Sequence, residues 1–347
     1  MAEQPDERPA WRQANPVAIS RALMAATSLN GGGWYVIGDS RRFRPAALQL
    51  PQRGTRNATP VGLVGGLRHR RLYPRRLVVA DRELVAWRPA PDAPLAVGPA
   101  ACPHLGADLA DGRVGPDGCV TCPWHGLGLP ADPAARVPGQ GRWHTLPVHD
   151  DGVLTWVRLD GSDEGPPTDA PVLAPRPRIG LTAVMTRRAA CEPADVIANR
   201  LDPWHGAFFH PYAFRDLTVL DDGAETGVLT LDVTYRIAGR LGVPVRATFH
   251  CPEPRTIVMT IIDGEGTGSV VETHATPVAS AAPGRAPATD VIEATIATSD
   301  RRGFDRALVA EPVVRPLMRL AAARLWRDDA AYAERLAALR QAARARG

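Results

Sequence analysis

Two short loops restrict what this chain can be more than any bulk property does: Cys102-Pro103-His104-Leu105-Gly106 and, with seventeen residues between His104 and Cys122, Cys122-Pro123-Trp124-His125-Gly126. Each presents one thiol and one imidazole on a tight turn. Two Cys and two His are a zinc-type donor set. They also suit a [2Fe–2S] cluster, in which thiolates stabilise ferric iron and two neutral imidazoles on one iron raise the potential above that of all-Cys clusters. Proline after each cysteine and glycine after each histidine, with strand patterns before and after, favour the cluster. Cys119 has no histidine three residues on and reads as a spare thiol.

The rest of the chain has to build around those loops. Its 34 prolines and 32 glycines in 347 residues favour short strands and turns over a helical bundle, so an α+β chain is expected. Residues 1–30 read as a tail with a helix over Val17–Ala26. Residues 31–160 read as an all-β cluster domain, with strands at 34–38, 77–80, 84–87 and 153–159 and a hairpin turn at Asp81-Arg82-Glu83. Residues 161–177 are a polar, proline-rich linker. A second domain, 178–347, opens with a strand (Leu181–Arg187) and a helix from Pro193. Alternating strands follow at 227–237, 243–251, 255–262, 269–276 and 290–298, and a long helix from Asp305 to Arg344, broken near Pro316, closes the chain. One antiparallel sheet gripping one long helix is the economical architecture.

A second constellation opens that domain: Asn199-x-x-Asp202-x-x-His205-x-x-x-x-His210-Pro211. Five residues turn a regular helix through about 500°, so both imidazoles can reach one metal only if the helix bends or ends between them. Gly206 and Pro211 supply such a deviation. Two His and one carboxylate on one face of a metal leave positions open for O2 and substrate, the facial triad of mononuclear non-haem Fe(II) oxygenases.

With the residues quoted, a resemblance becomes specific. The loops CPHLG and CPWHG, framed by LVVADRELVAW and GVLTWVRL, resemble the Rieske family. The downstream Asn, Asp and His pattern resembles the oxygenase component of Rieske non-haem iron oxygenases, from about residue 33 to the C-terminus. The resemblance implies a [2Fe–2S] cluster on Cys102, His104, Cys122 and His125, and mononuclear Fe(II) on His205 and His210. It implies a third ligand in the C-terminal helical region, where Asp329 is the first expectation and Asp328 the second, with Asp305 and Glu311 behind them. Asp202 would link the mononuclear site to a Rieske histidine of a neighbouring subunit, and Asn199 would lie near the iron. A ferredoxin or flavin reductase would supply electrons, and a head-to-tail homotrimer would bring the two centres together. The family's usual Trp after His125-Gly126 is Leu127 here, at a position that contributes to packing near the subunit contact. The short second domain favours the monooxygenase and demethylase-like branches.

The expected activity is hydroxylation or demethylation of an apolar substrate with O2, in a pocket lined by strand residues such as Phe249 and Met259. Aromatic, steroid and isoprenoid molecules suit such a pocket, and analogy alone favours a terpenoid or carotenoid-like one. The alternative is a Rieske electron-transfer or ligand-binding protein without catalytic iron. Net charge is +4 and all 41 basic residues are Arg, but the 37 acidic residues are interspersed and no aromatic stacking series accompanies them, so no nucleic-acid partner is expected. The cluster Arg68, His69, Arg70, Arg71, Arg75 and Arg76 suits docking of an acidic ferredoxin. No stretch is apolar enough to span a membrane, and five unevenly spaced cysteines with no secretory signal point to the cytoplasm. Cys191, Cys251, His144, His149, His250 and His274 read as structural residues, with His250 and His274 also candidates to line the pocket.

Overall fold

The computed structural model describes residues 13–44, 74–135, 137, 143–159, 161, 165–238, 241–282 and 284–344. Residues 68–73, which hold most of the arginine cluster, lie outside them. By packing the chain divides into a larger unit, 1–39, 79–81 and 149–347, and a smaller one, 40–78 and 82–148.

The larger unit begins with α1 (Pro16–Thr27), where the Asn15 side chain accepts from the Val17 N–H at 3.0 Å and proline occupies the first turn. Strand β1 (Trp34–Asp39) follows. The smaller unit holds β2 (Arg75–Val79), β3 (Arg82–Trp87) and β4 (Ala96–Pro99) as one sheet. Its second sheet consists of β5 (Arg113–Val114), β6 (Val120–Thr121) and β7 (Gly128–Leu129). The turn between β2 and β3 falls on Ala80 and Asp81, at φ 49° and 60°, one residue earlier than the sequence suggests. Two left-handed residues match the twist of a two-residue hairpin, which leaves Arg82 and Glu83 free to join β3. Val85, Trp87, Leu109, Val120 and Leu129 form a core directly beneath Cys102 and Cys122.

The larger unit resumes with β8 (Val148–Asp150) and β9 (Leu154–Arg158), which make a sheet in the order β1-β9-β8. These three strands fall inside the 31–160 stretch of sequence, yet they pack within the larger unit. Trp34, Val36, Leu154 and Trp156 bury against Val184, Ile292, Ala294 and Ile296. Those partners lie on a seven-stranded antiparallel sheet in the order β10-β16-β15-β14-β13-β12-β11. It comprises β10 (Leu181–Ala189), β11 (Phe214–Asp221), β12 (Leu229–Ala238), β13 (Leu241–Glu253), β14 (Thr256–Gly264), β15 (Val270–Ala279) and β16 (Ala288–Ala297).

Strand alternation divides the work of this sheet. On β16, Ile292, Ala294 and Ile296 face the small sheet, while Val291, Glu293, Thr295 and Ala297 face the helices or the cavity they enclose. The helices are α2 (Pro193–Arg200), α3 (Gly206–Phe209), α4 (Phe304–Val309) and α5 (Glu311–Arg344). Ala322, Trp326, Ala330, Ala333 and Ala337 recur at helical spacing on α5 and bury against Met185, Ala189, Val196, Ile197 and Ile257. Alanine at four of those five positions lets the helix lie close to the sheet. Cys191 belongs to the same core and Cys251 packs at its edge.

The expected α+β build with a long C-terminal helix is what the chain adopts. The helix breaks at Ala310 and not at Pro316, because Pro312 suits the first turn of α5 and Pro316 is accommodated in the second. Among the described residues, no helix is long and apolar enough to cross a membrane.

Candidate active site

The two cysteine loops are built alike. The Cys102 N–H donates to the Ala107 carbonyl and the Gly106 N–H to the Cys102 carbonyl, each at 2.8 Å. In the second loop Cys122 N–H donates to Leu127 at 2.8 Å and Gly126 N–H to Cys122 at 3.1 Å. Gly106 and Gly126 close these turns at φ 78° and 73°, a conformation that costs any residue with a Cβ. Both thiols are buried, and the His104 and His125 rings lie exposed with centroids 4.9 Å apart. Burial disfavours both thiolates, and loop N–H groups counter it: those of His104 and Leu105 at Cys102, those of Trp124 and His125 at Cys122. The balance raises the Cys102 thiol and lowers that of Cys122, and their mutual hydrogen bond contributes to the split. Paired buried sulfurs, N–H groups aimed at them and two exposed imidazoles fit a [2Fe–2S] cluster.

The second constellation is assembled by three elements. Asn199 is fully buried on α2, His205 ends a 3-10 turn over Pro203–His205, and His210 follows α3. The helical path thus ends and restarts between the two histidines, as their five-residue spacing requires. The third member arrives from α5, where Asp329 lies three residues beyond Trp326 on the buried stripe and is 2% exposed. Its Oδ1 lies 3.2 Å from His205 Nε2 and 2.8 Å from His210 Nε2. Ligand atoms of His205, His210 and Asp329 all fall within 4.8 Å of one another. Burial opposes a charge on Asp329, but His205, His210 and Arg200 hold its carboxyl below the usual carboxylate range.

Asp328 points a helical step away and accepts from the Tyr212 hydroxyl at 2.6 Å. Asp305 is exposed on α4, and Glu311 pairs with Arg315. Asp202 accepts at its backbone carbonyl from His205 Nδ1, and its Oδ2 takes the Tyr332 hydroxyl at 3.3 Å. Its Oδ1 is buried with no partner among the described residues, as is Asn199 Oδ1, while Asn199 Nδ2 lies 3.3 Å from Asp329 Oδ1. The Tyr332 ring stacks on His205 at 5.5 Å and 16°.

A cavity of about 710 Å3 opens beside these residues. Its walls are mainly apolar, with Phe214, Leu217, Val233, Phe249, Met259 and Leu325 among them. Phe249 and Met259 are where the sequence puts them; His250 and His274 are not in the lining. His274 is buried against Thr256 at 2.7 Å and Glu272 at 3.3 Å, a structural role.

Several polar residues in the cavity escape the sequence reading, Arg200, Tyr235 and Glu293 among them, with Glu265, Ser269, Arg301 and Arg302. Arg200 Nη2 donates to Glu293 Oε2 at 3.0 Å and Trp326 Nε1 donates to the same oxygen at 2.6 Å. Burial pushes the Glu293 carboxyl up against the pull of Arg200. Burial likewise pushes the Tyr235 phenol up to about 12, so it keeps its proton at neutral pH. Strand alternation could have marked Glu293 as facing inward, but nothing local ties it to residues ninety positions away.

The cysteine–histidine loops thus lie in the smaller unit, and two imidazoles and a carboxylate converge in the larger one. Residues 58–141 match the Rieske [2Fe–2S] domain. Residues 162–344 match the family described as a domain of unknown function (DUF5914), and the chain belongs to that family. Aminopyrrolnitrin oxygenase of Pseudomonas fluorescens is 38% identical over 80 residues, which are 23% of this chain and 19% of that relative's length. Dicamba monooxygenase bound to dicamba shares the fold with a TM-score of 0.60 at 16% identity, over 91% of this chain and 90% of that one. The terminal oxygenase of carbazole 1,9a-dioxygenase from Novosphingobium sp. KA1 does so at 0.56 and 14% identity, over 94% and 89%.

Proposed function

We propose that this chain is the oxygenase component of a Rieske non-haem iron oxygenase, which hydroxylates or demethylates an apolar substrate with O2 and externally supplied electrons. The observation that carries the reading is the convergence of His205, His210 and Asp329 beside a largely apolar cavity. Two neutral nitrogens and one anionic oxygen, with positions left open toward the cavity, suit Fe(II). Iron held there would supply dioxygen activation. Cys102, His104, Cys122 and His125 would hold the [2Fe–2S] cluster that feeds it.

The chain's own residues do the positioning. The Asp202 carbonyl fixes the His205 ring through Nδ1 and so selects Nε2 for the metal. Asn199 donates to Asp329 and restrains its carboxylate. The unpaired Asp202 Oδ1 suits a donor from the cluster histidine of a neighbouring copy, which a head-to-tail homotrimer would bring. A carbazole 1,9a-dioxygenase oxygenase solved with its ferredoxin shares this fold at a TM-score of 0.54 and 13% identity, and supports a ferredoxin as the electron donor, with a flavin reductase behind it or in its place. The cluster would sit in the smaller unit and the catalytic iron in the larger one, which also takes β1, β8 and β9 from ahead of the 161–177 linker. The reducing cytoplasm suits its free cysteines.

The test is a metal count. Protein from iron-replete cells should hold three irons and two acid-labile sulfides per chain, and Asp329→Ala should lose one iron with the cluster absorbance intact. Two irons in the unaltered protein would instead make it an electron carrier.

A further inference from the structure

Among the polar residues that line the cavity, one group lies next to the metal-site residues in sequence. Arg200 follows Asn199 directly, and Trp326, which donates to Glu293, precedes Asp329 by one helical turn. Three donors converge on one oxygen of Glu293: Trp326 Nε1 at 2.6 Å, Arg200 Nη2 at 3.0 Å and Thr273 Oγ1 at 3.4 Å. The other oxygen, Oε1, takes no hydrogen bond among the described residues, and Glu293 lines the cavity at 5% exposure. The Tyr235 hydroxyl likewise lines the cavity without a partner among the described residues, and the charges of Arg200 and Glu293 both act on it. One fixed acceptor and one protonated phenol, close enough to act on each other electrostatically, therefore line the same largely apolar cavity, whose remaining charged residues are Glu265, Arg301 and Arg302 besides the metal-site group.

The chemistry of that pair selects a ligand. A pure hydrocarbon would cover both groups and satisfy neither, which costs their desolvation. A ketone accepts from Tyr235 but gives Glu293 nothing. A carboxylate would meet the negative charge of Glu293 with that of Asp329 close behind. A hydroxyl donates to Glu293 Oε1 and accepts from Tyr235 at once. Size narrows the skeleton, since a cavity of about 150 Å3 already holds benzene and this one measures about 710 Å3.

We propose that the substrate is a bulky apolar alcohol, bound with its hydroxyl inward between Glu293 Oε1 and the Tyr235 phenol, so that the bond attacked lies near that hydroxyl. The assignment rests on the oxygenase reading and narrows its substrate class. Arg200 and Trp326 are positioning residues that hold the carboxylate; Glu293 and Tyr235 set specificity.

The experiment is calorimetric binding to the anaerobic, iron-loaded protein of a matched steroid set: 5α-androstane, its 3-ketone, its 3β-alcohol and a steroid carboxylic acid. The alcohol should bind about tenfold more tightly than the alkane or the ketone, the worth of one charge-assisted hydrogen bond. Tyr235→Phe should cut the advantage over the alkane to about threefold and leave that over the ketone, which also accepts from Tyr235, unchanged. Glu293→Gln replaces an acceptor by a group that also donates, so the ketone should gain on the alcohol. Melting curves and iron content on the same samples show that each variant is folded and loaded. An alkane that binds as well as the alcohol, affinity ratios unchanged from wild type in both variants, or no binding by any member overturns the proposal. Iron content alone decides the oxygenase reading, so the two can fail separately.

Discussion

Neighbouring carboxylates on α5 have separate tasks because one helical step turns a side chain by about 100°. Asp329 enters the buried stripe and meets two imidazoles, while Asp328 meets Tyr212. Asp328→Asn should therefore leave the iron count unchanged, where Asp329→Asn loses the mononuclear iron; metal analysis of the pair checks this. Asp202→Asn keeps the backbone carbonyl that holds His205 but changes the buried carboxylate, so iron and cluster should persist while reductase-driven turnover falls about 10- to 100-fold. Far from the site, Glu272 is buried, and Arg176 and His274 outweigh that burial to hold its carboxyl at about 2. The folded state thus favours the ionised form, a stabilisation fully present above pH 4.5 and lost as pH falls through 2. Glu272→Gln leaves Arg176 with Asp151 as its remaining carboxylate partner and should cost about 1–3 kcal/mol at neutral pH, and urea midpoints between pH 5 and 2 should vary less than in the parent. The motif residues were legible because metal ligands cluster in sequence. Tyr235 and Glu293 were not, since a strand brings its side chains to a site through pairing partners that no local pattern names.

Among the elements, α5 is the most demanding. Its stripe of alanines fits only at close range, so Ala333→Leu should cost about 1–3 kcal/mol by overpacking against the sheet, read as a lower denaturation midpoint. Pro316 interrupts the hydrogen-bond ladder in the second turn, and Pro316→Ala should raise the melting temperature. The long strands β12 to β16 and this helix follow from alternation and helical spacing in the sequence. Strand β11 does not: Phe214-Arg215-Asp216-Leu217 breaks alternation, and the strand is nowhere fully buried. β1 and β9 were recognisable as strands, but which unit they serve depends on Ile292, Ala294 and Ile296, far along the chain.

At the scale of the whole molecule, Leu105 and Trp124 stand 63% and 62% exposed on the two cluster loops, beside the exposed histidines. Large apolar side chains left in water on a cluster tip suit burial between copies. On the proposed head-to-tail trimer, replacing both by Ser should shift the assembly toward monomer in sedimentation while the cluster absorbance stays, and turnover should become dependent on protein concentration. Helix α2 carries Asn199 for the carboxylate of the proposed metal site and Arg200 for the carboxylate in the cavity on adjacent residues. An organism adapting this scaffold to a new compound could therefore not freely alter that helix without disturbing Asp329 and the two imidazoles it meets. The accessible routes run through the sheet, where Tyr235, Phe249 or Met259 can be exchanged singly, and the diversity of natural variants should concentrate on those strands.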